Sequence, residues 1–395
     1  MKHKLLYMPS FVYAIAFIPL LLIYQIGWSD MYPELHGFLL WFLIGSSLFA
    51  IFLGVYQART LRIPITPINL SEKFIKRSFY IIIIGYILDF AFEMTIPLFR
   101  TFYDSNFSYD DFTGIPTIHV ILSTFSIFFS ILMFDVYMCN KKRKSLVLFL
   151  SSLIPYLLVL NRGAFMIVFC AIIFIYLIRT KNVKIRNLFK SIFIIGVVLY
   201  FFGLIGNIRQ TQTKSDGEFV LRIAGATDKF LNSGVPAEFY WSYIYVTSPV
   251  GNLQNIIDKK QDEFDEKKLG LFISSELLPD FLSKRVSALL GYDKILARNY
   301  GSRYLVTINL NAPTTYYNAY LNLGSSGMYI MFFAIMFSAL FYPKVLNKKQ
   351  PFYITGIASL NSIILLSMFN NMWFNTGTIL LWPIIIGIGS RLTIK

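Results

Sequence analysis

Apolar residues along this chain fall in long blocks. Segments near 6–28, 36–57, 78–98, 116–139, 145–160, 163–179, 189–207, 316–342, 352–368 and 373–389 are almost continuously hydrophobic. A helix rising about 1.5 Å per residue needs roughly 20 apolar residues to cross a bilayer's hydrocarbon layer. The pattern therefore predicts an all-α, polytopic membrane bundle of about ten transmembrane helices. The blocks recur throughout and leave no stretch to form a separate soluble core, so 1–395 is expected to be one membrane domain.

Two pairs of blocks are short. Segments 145–160 and 163–179 are joined only by Asn161-Arg162-Gly163, and 352–368 and 373–389 by a turn containing Asn370, Asn371, Trp373 and Asn375. Either hairpin spans fully or re-enters, which leaves eight, nine or ten spans open.

The one long polar stretch, 208–315, carries amphipathic runs at 219–231, 239–257 and 269–290. It is expected to be a helical cap lying on or partly in the outer leaflet, with the charge-dense piece 258–268 as a solvated turn.

Composition agrees with the pattern: 56% of residues are hydrophobic, 17% aromatic and only 14% charged, against about a quarter charged in ordinary globular proteins. Charge then orients the bundle. With the N-terminus inside, the inner segments carry Lys2 and Lys4, then Arg59, Arg62, Lys73, Lys76 and Arg77, then Lys141, Lys142, Arg143 and Lys144. The series continues with Arg179, Lys181, Lys184, Arg186 and Lys190, then Lys344, Lys348 and Lys349, then Arg391 and Lys395, with Glu72 as the one acid among them. This is the positive-inside signature. It places both termini in the cytoplasm and 208–315 outside, and it accounts for the net charge of +15 without nucleic acid as a partner. The first block lacks a small-residue cleavage site and reads as a retained signal anchor. Cys139 and Cys170 lie within or beside helices and suggest no disulfide framework.

No Gly-rich phosphate loop, HExxH motif or Cys/His cluster appears, and the inner loops are too short for a nucleotide-binding domain. Any reaction must use a substrate already activated in the membrane. Asp89 and Glu93, four residues apart, share a helix face and should face the bundle interior, as a structural pair, a substrate-site carboxylate or an ion relay. Asp135, close to the 141–144 cluster, is expected to reach interfacial water.

Arg162 sits on the side where cations do not normally accumulate. Its planar fork suits phosphate oxygens, so it binds a lipid pyrophosphate or pairs with a nearby acid. Arg209, Arg222, Arg298 and Arg303 are further outward-facing candidates. The aromatic run containing Tyr240, Trp241, Tyr243 and Tyr245 forms either an interfacial belt or a stacking surface for sugar rings. Glu238, just before it, is the carboxylate to test first as a general base. His3, His36 and His119 offer little, since none lies in the cap.

These residues resemble the O-antigen polymerase (Wzy-type) family of oligosaccharide repeat-unit polymerases. The resemblance rests on Asn161-Arg162-Gly163 opening an apolar helix, on Arg209 following a helix, and on EFYWSYIYVTSPVGNL at 238–253. NAPTTYYNAYLNLG at 311–324, with Gly327 close behind, completes it. It implies a metal- and cofactor-independent glycosyltransferase at the outer face of a bacterial plasma membrane. Such an enzyme joins undecaprenyl-pyrophosphate-linked oligosaccharides into O-antigen, capsule or a similar surface polysaccharide, in some cases beside a chain-length regulator. Arg162, with Arg209 or Arg222, and Arg303 would then hold the pyrophosphate. Tyr240, Trp241, Tyr243, Tyr316 and Tyr317 would contact sugar, and Asp89, Glu93 and Glu238 are the catalytic carboxylate candidates. The related O-antigen ligases carry a histidine before their late helix, where this chain has Thr314, Thr315 and Tyr316, so polymerase is preferred to ligase. A flippase or transporter of lipid-linked oligosaccharide is the alternative from another class, and a membrane acyltransferase is third.

Overall fold

The computed structural model describes residues 2–65, 67–104, 107, 112–180, 200, 221–222, 224–292, 301–307, 310–348 and 350–388. The described residues are helical and contain no strand, only an isolated bridge between Ser29 and Ala226. The principal helices are α1 (Pro9–Tyr24), α2 (Gly37–Thr60), α3 (Glu72–Glu93), α4 (Ile118–Asn140), α5 (Arg143–Ser152), α6 (Ile154–Val159) and α7 (Arg162–Arg179). After 208–315 has begun come α8 (Glu238–Lys259) and α9 (Asp280–Leu289), then α10 (Tyr317–Val345), α11 (Tyr353–Leu366) and α12 (Leu381–Ile388). Every apolar block coincides with helix except 189–207, which apart from residue 200 lies outside the described residues. Among the described residues four helices, α2, α4, α7 and α10, are long and apolar enough to cross a membrane, and Pro9–Tyr24, Tyr353–Leu366 and Met372–Ile388 are shorter apolar helices.

The exposure pattern is that of a protein solvated by lipid. Trp41, Phe52 and Phe337 are 71%, 68% and 62% exposed, and α3 turns out Ile83, Ile84, Ile87 and Leu88. By contrast α11, packed among α1, α4 and α7, is buried along almost its whole length, including Thr355, Ser359, Asn361 and Ser362. Polar groups in such an interior must find partners because no water competes for them. The Ser359 and Ser362 hydroxyls donate back to the carbonyls of Thr355 and Ala358, and the Asn361 amide donates 3.0 Å to the Tyr7 carbonyl.

The same rule corrects the expectation for Asp135. It is fully buried, and it pairs with Arg179 of α7 while accepting a 3.0 Å hydrogen bond from Thr355 of α11. One carboxylate thus ties three helices together and is closed off from solvent.

Both short hairpins contain interrupted arms. The first breaks at Leu153, ahead of Pro155, into α5 and α6. The Tyr156 hydroxyl sits 3.0 Å from Ser126 Oγ and 2.9 Å from Ser130 Oγ of α4, which holds the broken arm in place. In the second, Met372–Thr376 passes through a 3-10 turn, Gly377–Leu380, into α12. A further break lies inside α10 at Leu323 and Gly324. Gly324 has φ +60 and ψ −149, a region essentially restricted to glycine. Asp262 enters the gap and accepts the freed Ser325 N–H at 2.7 Å. Segment 258–268 is therefore anchored on α10 and is more than a solvated turn.

Alternation of helix direction gives the bundle two ends. At the basic end the Lys4 ammonium donates 2.7 Å to the Ala58 carbonyl and Lys144 pairs with Glu72 at 3.1 Å. At the other end the long polar segment packs over the helices. There α8 departs from the expected surface helix, since Thr247, Ser248, Asn252 and Gln254 are buried with its apolar residues. Its Asn252 amide donates to the Leu310 carbonyl at 2.8 Å and accepts from Val306 N at 2.9 Å.

Removing one member of the Asp135–Arg179 pair leaves an uncompensated buried charge, at a cost of about 3–5 kcal/mol. Arg179→Ala is therefore expected to lower the thermal unfolding temperature of the detergent-solubilised protein sharply. The double replacement Asp135→Leu with Arg179→Leu should recover most of the loss in the same melting assay.

Candidate functional site

The polar side chains left over from helix packing concentrate at the long-segment end. Helix α3 ends at Met94 with positive φ, and the chain returns to open α4. Asp89 and Glu93 both turn toward that return, as their shared face requires. Asp89, fully buried, accepts the Ile115 N–H at 3.0 Å on one oxygen and lies 2.7 Å from His119 Nδ1 on the other. Glu93 Oε1 accepts the N–H of Thr113 at 3.3 Å, its hydroxyl at 3.0 Å and the Gly114 N–H at 2.8 Å. The carboxylates are thus satisfied by the loop and a histidine instead of an arginine. Tyr86 and Phe112 set their rings edge-on to His119 at 6.4 and 5.7 Å between centroids.

Above this turn lies α9. Its Arg285 donates 3.0 Å to the hydroxyl of Thr117, the residue that precedes α4. Thr117 has φ +70, an outlier for a β-branched residue and a local strain the surroundings must hold. Beside α9 a single π-helical turn, Ile273–Leu277, carries Glu276 into the interior. Glu276 is 4% exposed; Oε2 accepts from the Asn371 amide at 3.0 Å and Oε1 from Ser275 Oγ at 3.1 Å. Asn371 also caps Met372–Thr376 through the Phe374 N–H, and Trp373 Nε1 donates 2.9 Å to the Leu277 carbonyl. A narrow apolar fissure between α10 and α11, lined by Ile335, Leu360 and Ile363, reaches Thr315, Ser367 and Trp373 at this place.

The other expected site residues are more scattered. Arg162 is exposed as the first residue of α7, where Asn161 caps the helix by accepting the Ala164 N–H at 2.9 Å. Arg222 and Arg303 are exposed on the long segment, while Arg209 and Arg298 lie outside the described residues. Glu238 is half-buried as the first residue of α8.

Four of the five aromatic candidates are packed into the protein. Tyr240 is fully buried, and its hydroxyl donates 2.6 Å to the Ala224 carbonyl; burial pushes its pKa up to about 12. Tyr243 accepts the Trp28 N–H at 3.0 Å. Tyr316 shares a 2.6 Å hydrogen bond with Tyr13, and Tyr317 donates 2.5 Å to the Gly301 carbonyl. Trp241 remains half-buried. The structure thus gives Tyr240, Tyr243, Tyr316 and Tyr317 core roles in joining the long segment to α1 and α10.

His119 is set aside in the sequence because it lies outside the cap, and Glu276 and Arg285 stand in no pattern that singles them out. The signals for them were faint: a Gly114 ahead of a helix that begins with histidine, and a lone glutamate in an otherwise apolar run.

Exposed apolar helices around a packed core that also buries paired polar groups are compatible with a helical membrane protein. No protein-family model, curated protein or solved structure matches the chain.

The turn has a direct stability test. Gly114 has φ +63, and a Cβ there would lie 2.7 Å from His119 Nδ1. Gly114→Ala should cost about 1–3 kcal/mol through strain at positive φ, read as a lower melting temperature, whereas Gly163→Ala, with no such contact, should leave the melt unchanged.

Proposed function

We propose that this chain is a glycosyltransferase that joins undecaprenyl-pyrophosphate-linked oligosaccharide repeat units into a surface polysaccharide. It works at the outer face of a bacterial plasma membrane, crosses it about ten times, and keeps both termini in the cytoplasm with 208–315 outside.

The observation that carries this reading is the segregation of polar chemistry. The cations Arg162 and Arg285, the Asp89–His119 pair and the buried Glu276 share the long-segment end, whereas the opposite end carries short basic loops. A lipid pyrophosphate leaving group is stabilised mainly by preorganised positive charge, which arginine forks supply. Its prenyl tail needs an apolar flank, which the exposed faces of the surrounding helices supply. The resemblance at 161–163, 238–253 and 311–324 supports the same class, with Gly324 accounted for by the helix break that receives Asp262.

A second reading, a transporter of lipid-linked oligosaccharide, draws support from the interruptions at Leu153, Gly324 and 377–380, since broken helices often line transport sites. One experiment separates the two. In the native cell, Arg162→Ala should shorten the surface glycan to single repeat units with yield of those units retained. Loss of one charge-assisted contact corresponds to a polymer decrease of about tenfold or more, with Arg162→Lys intermediate. Disappearance of single units too would favour transport and contradict polymerisation. The orientation has its own test. A cysteine replacing exposed Glu266, with Cys139 and Cys170 changed to serine, should react with an impermeant thiol reagent on intact cells. Reaction only after lysis would invert the assigned topology.

A further inference from the structure

We propose that His119 is the general base of the transfer reaction, positioned by Asp89; this inference rests on the glycosyltransferase reading above. The argument begins with the hydrogen bond between His119 Nδ1 and the fully buried Asp89 Oδ2, at 2.7 Å. A carboxylate can only accept, so it holds the ring in the tautomer that carries its proton on Nδ1 and leaves the Nε2 lone pair available. The second Asp89 oxygen is fixed by the Ile115 N–H, so the carboxylate cannot swing away from the ring. Among the described residues Nε2 has no hydrogen-bond partner, and the side chain is 16% exposed. It is held on its flanks yet reachable at its edge.

The competing carboxylates are already engaged. Glu93 Oε1 accepts three hydrogen bonds from Thr113 and Gly114, and both oxygens of Glu276 are bonded. Glu238 opens α8, which packs chiefly on α1 and α10 and not on this turn. His119 also lies two residues from Thr117, which Arg285 contacts. A cation suited to the leaving pyrophosphate is therefore at the same helix end as the base. Among the described residues the charged and titratable groups that contact this turn are Asp89, Glu93 and Tyr86 from α3 and Arg285 from α9.

In the step assigned to this pair, the acceptor sugar hydroxyl gives its proton to His119 Nε2 as its oxygen attacks the donor's anomeric carbon. The new carbon–oxygen bond forms as the bond from that carbon to the pyrophosphate breaks. The electron pair leaves on the polyprenyl pyrophosphate, and the imidazolium returns its proton to water.

The test uses the full chain in detergent with lipid-linked repeat units extracted from the native cell. His119→Asn places an amide N–H where Nδ1 stood, so the link to Asp89 survives while Nε2 is lost. The variant should elute and melt as wild type does, yet transfer at least about 100-fold more slowly, within the usual range for a lost general base. Asp89→Asn, which no longer fixes the proton on Nδ1, should lower kcat by at least about tenfold and leave KM unchanged. If His119→Asn transfers within threefold of wild type, or Asp89→Asn keeps the wild-type kcat, the assignment is overturned. Wild type that forms no glycosidic bond at any pH would defeat the underlying reading itself.

Discussion

The cost of leaving a polar group unpaired in hydrocarbon organises this molecule. Backbone groups meet that cost by closing helices on themselves, and side chains meet it by finding partners across the bundle. Helix α11 makes the consequence visible: its Thr355 joins the Asp135–Arg179 pair, and its Asn361 reaches the chain before α1. Removing those links would leave the most central helix with polar atoms facing apolar neighbours. The apolar surface needs no such arrangement, so residues such as Trp41 and Phe337 point outward freely.

Much of the helical framework was legible in the sequence because block hydrophobicity is a local property. The described apolar blocks became helices, and the inward placement of Asp89 followed from the price of exposing a carboxylate to lipid. What could not be read was the choice of partner. Asp135 finds Arg179 44 positions away, Asp89 finds His119 at 30, and Asp262 reaches the Gly324 break at 63 from Ser325. Such pairings depend on how helices rotate against one another, which no window along one helix records. The aromatic run at 240–245 had the same composition whether it formed a membrane belt, a sugar surface or a core. Only the hydroxyl partners of Tyr240 and Tyr243 distinguish the last.

The two ends of the bundle therefore have different jobs. Near the basic end the polar groups are consumed in joining helices, as in the Asp135 triad. At the long-segment end lie the Gly324 break, a strained Thr117, a π-helical turn and the cation Arg285. Broken helices and bulges are costly unless function retains them. A reaction between two lipid-bound sugars asks for such an arrangement: charge for the departing pyrophosphate, a base for the attacking hydroxyl, and an apolar side for the tails.

The central claim is that the chain forms glycosidic bonds from lipid-linked units. Its most direct measurement counts products from purified protein in proteoliposomes supplied with undecaprenyl-pyrophosphate-linked repeat units and no nucleotide sugar. The expected result is a ladder of longer chains, with polyprenyl pyrophosphate released in equal number to the bonds formed. Lipid-linked units that cross the bilayer unchanged, with no pyrophosphate lipid released, would contradict it.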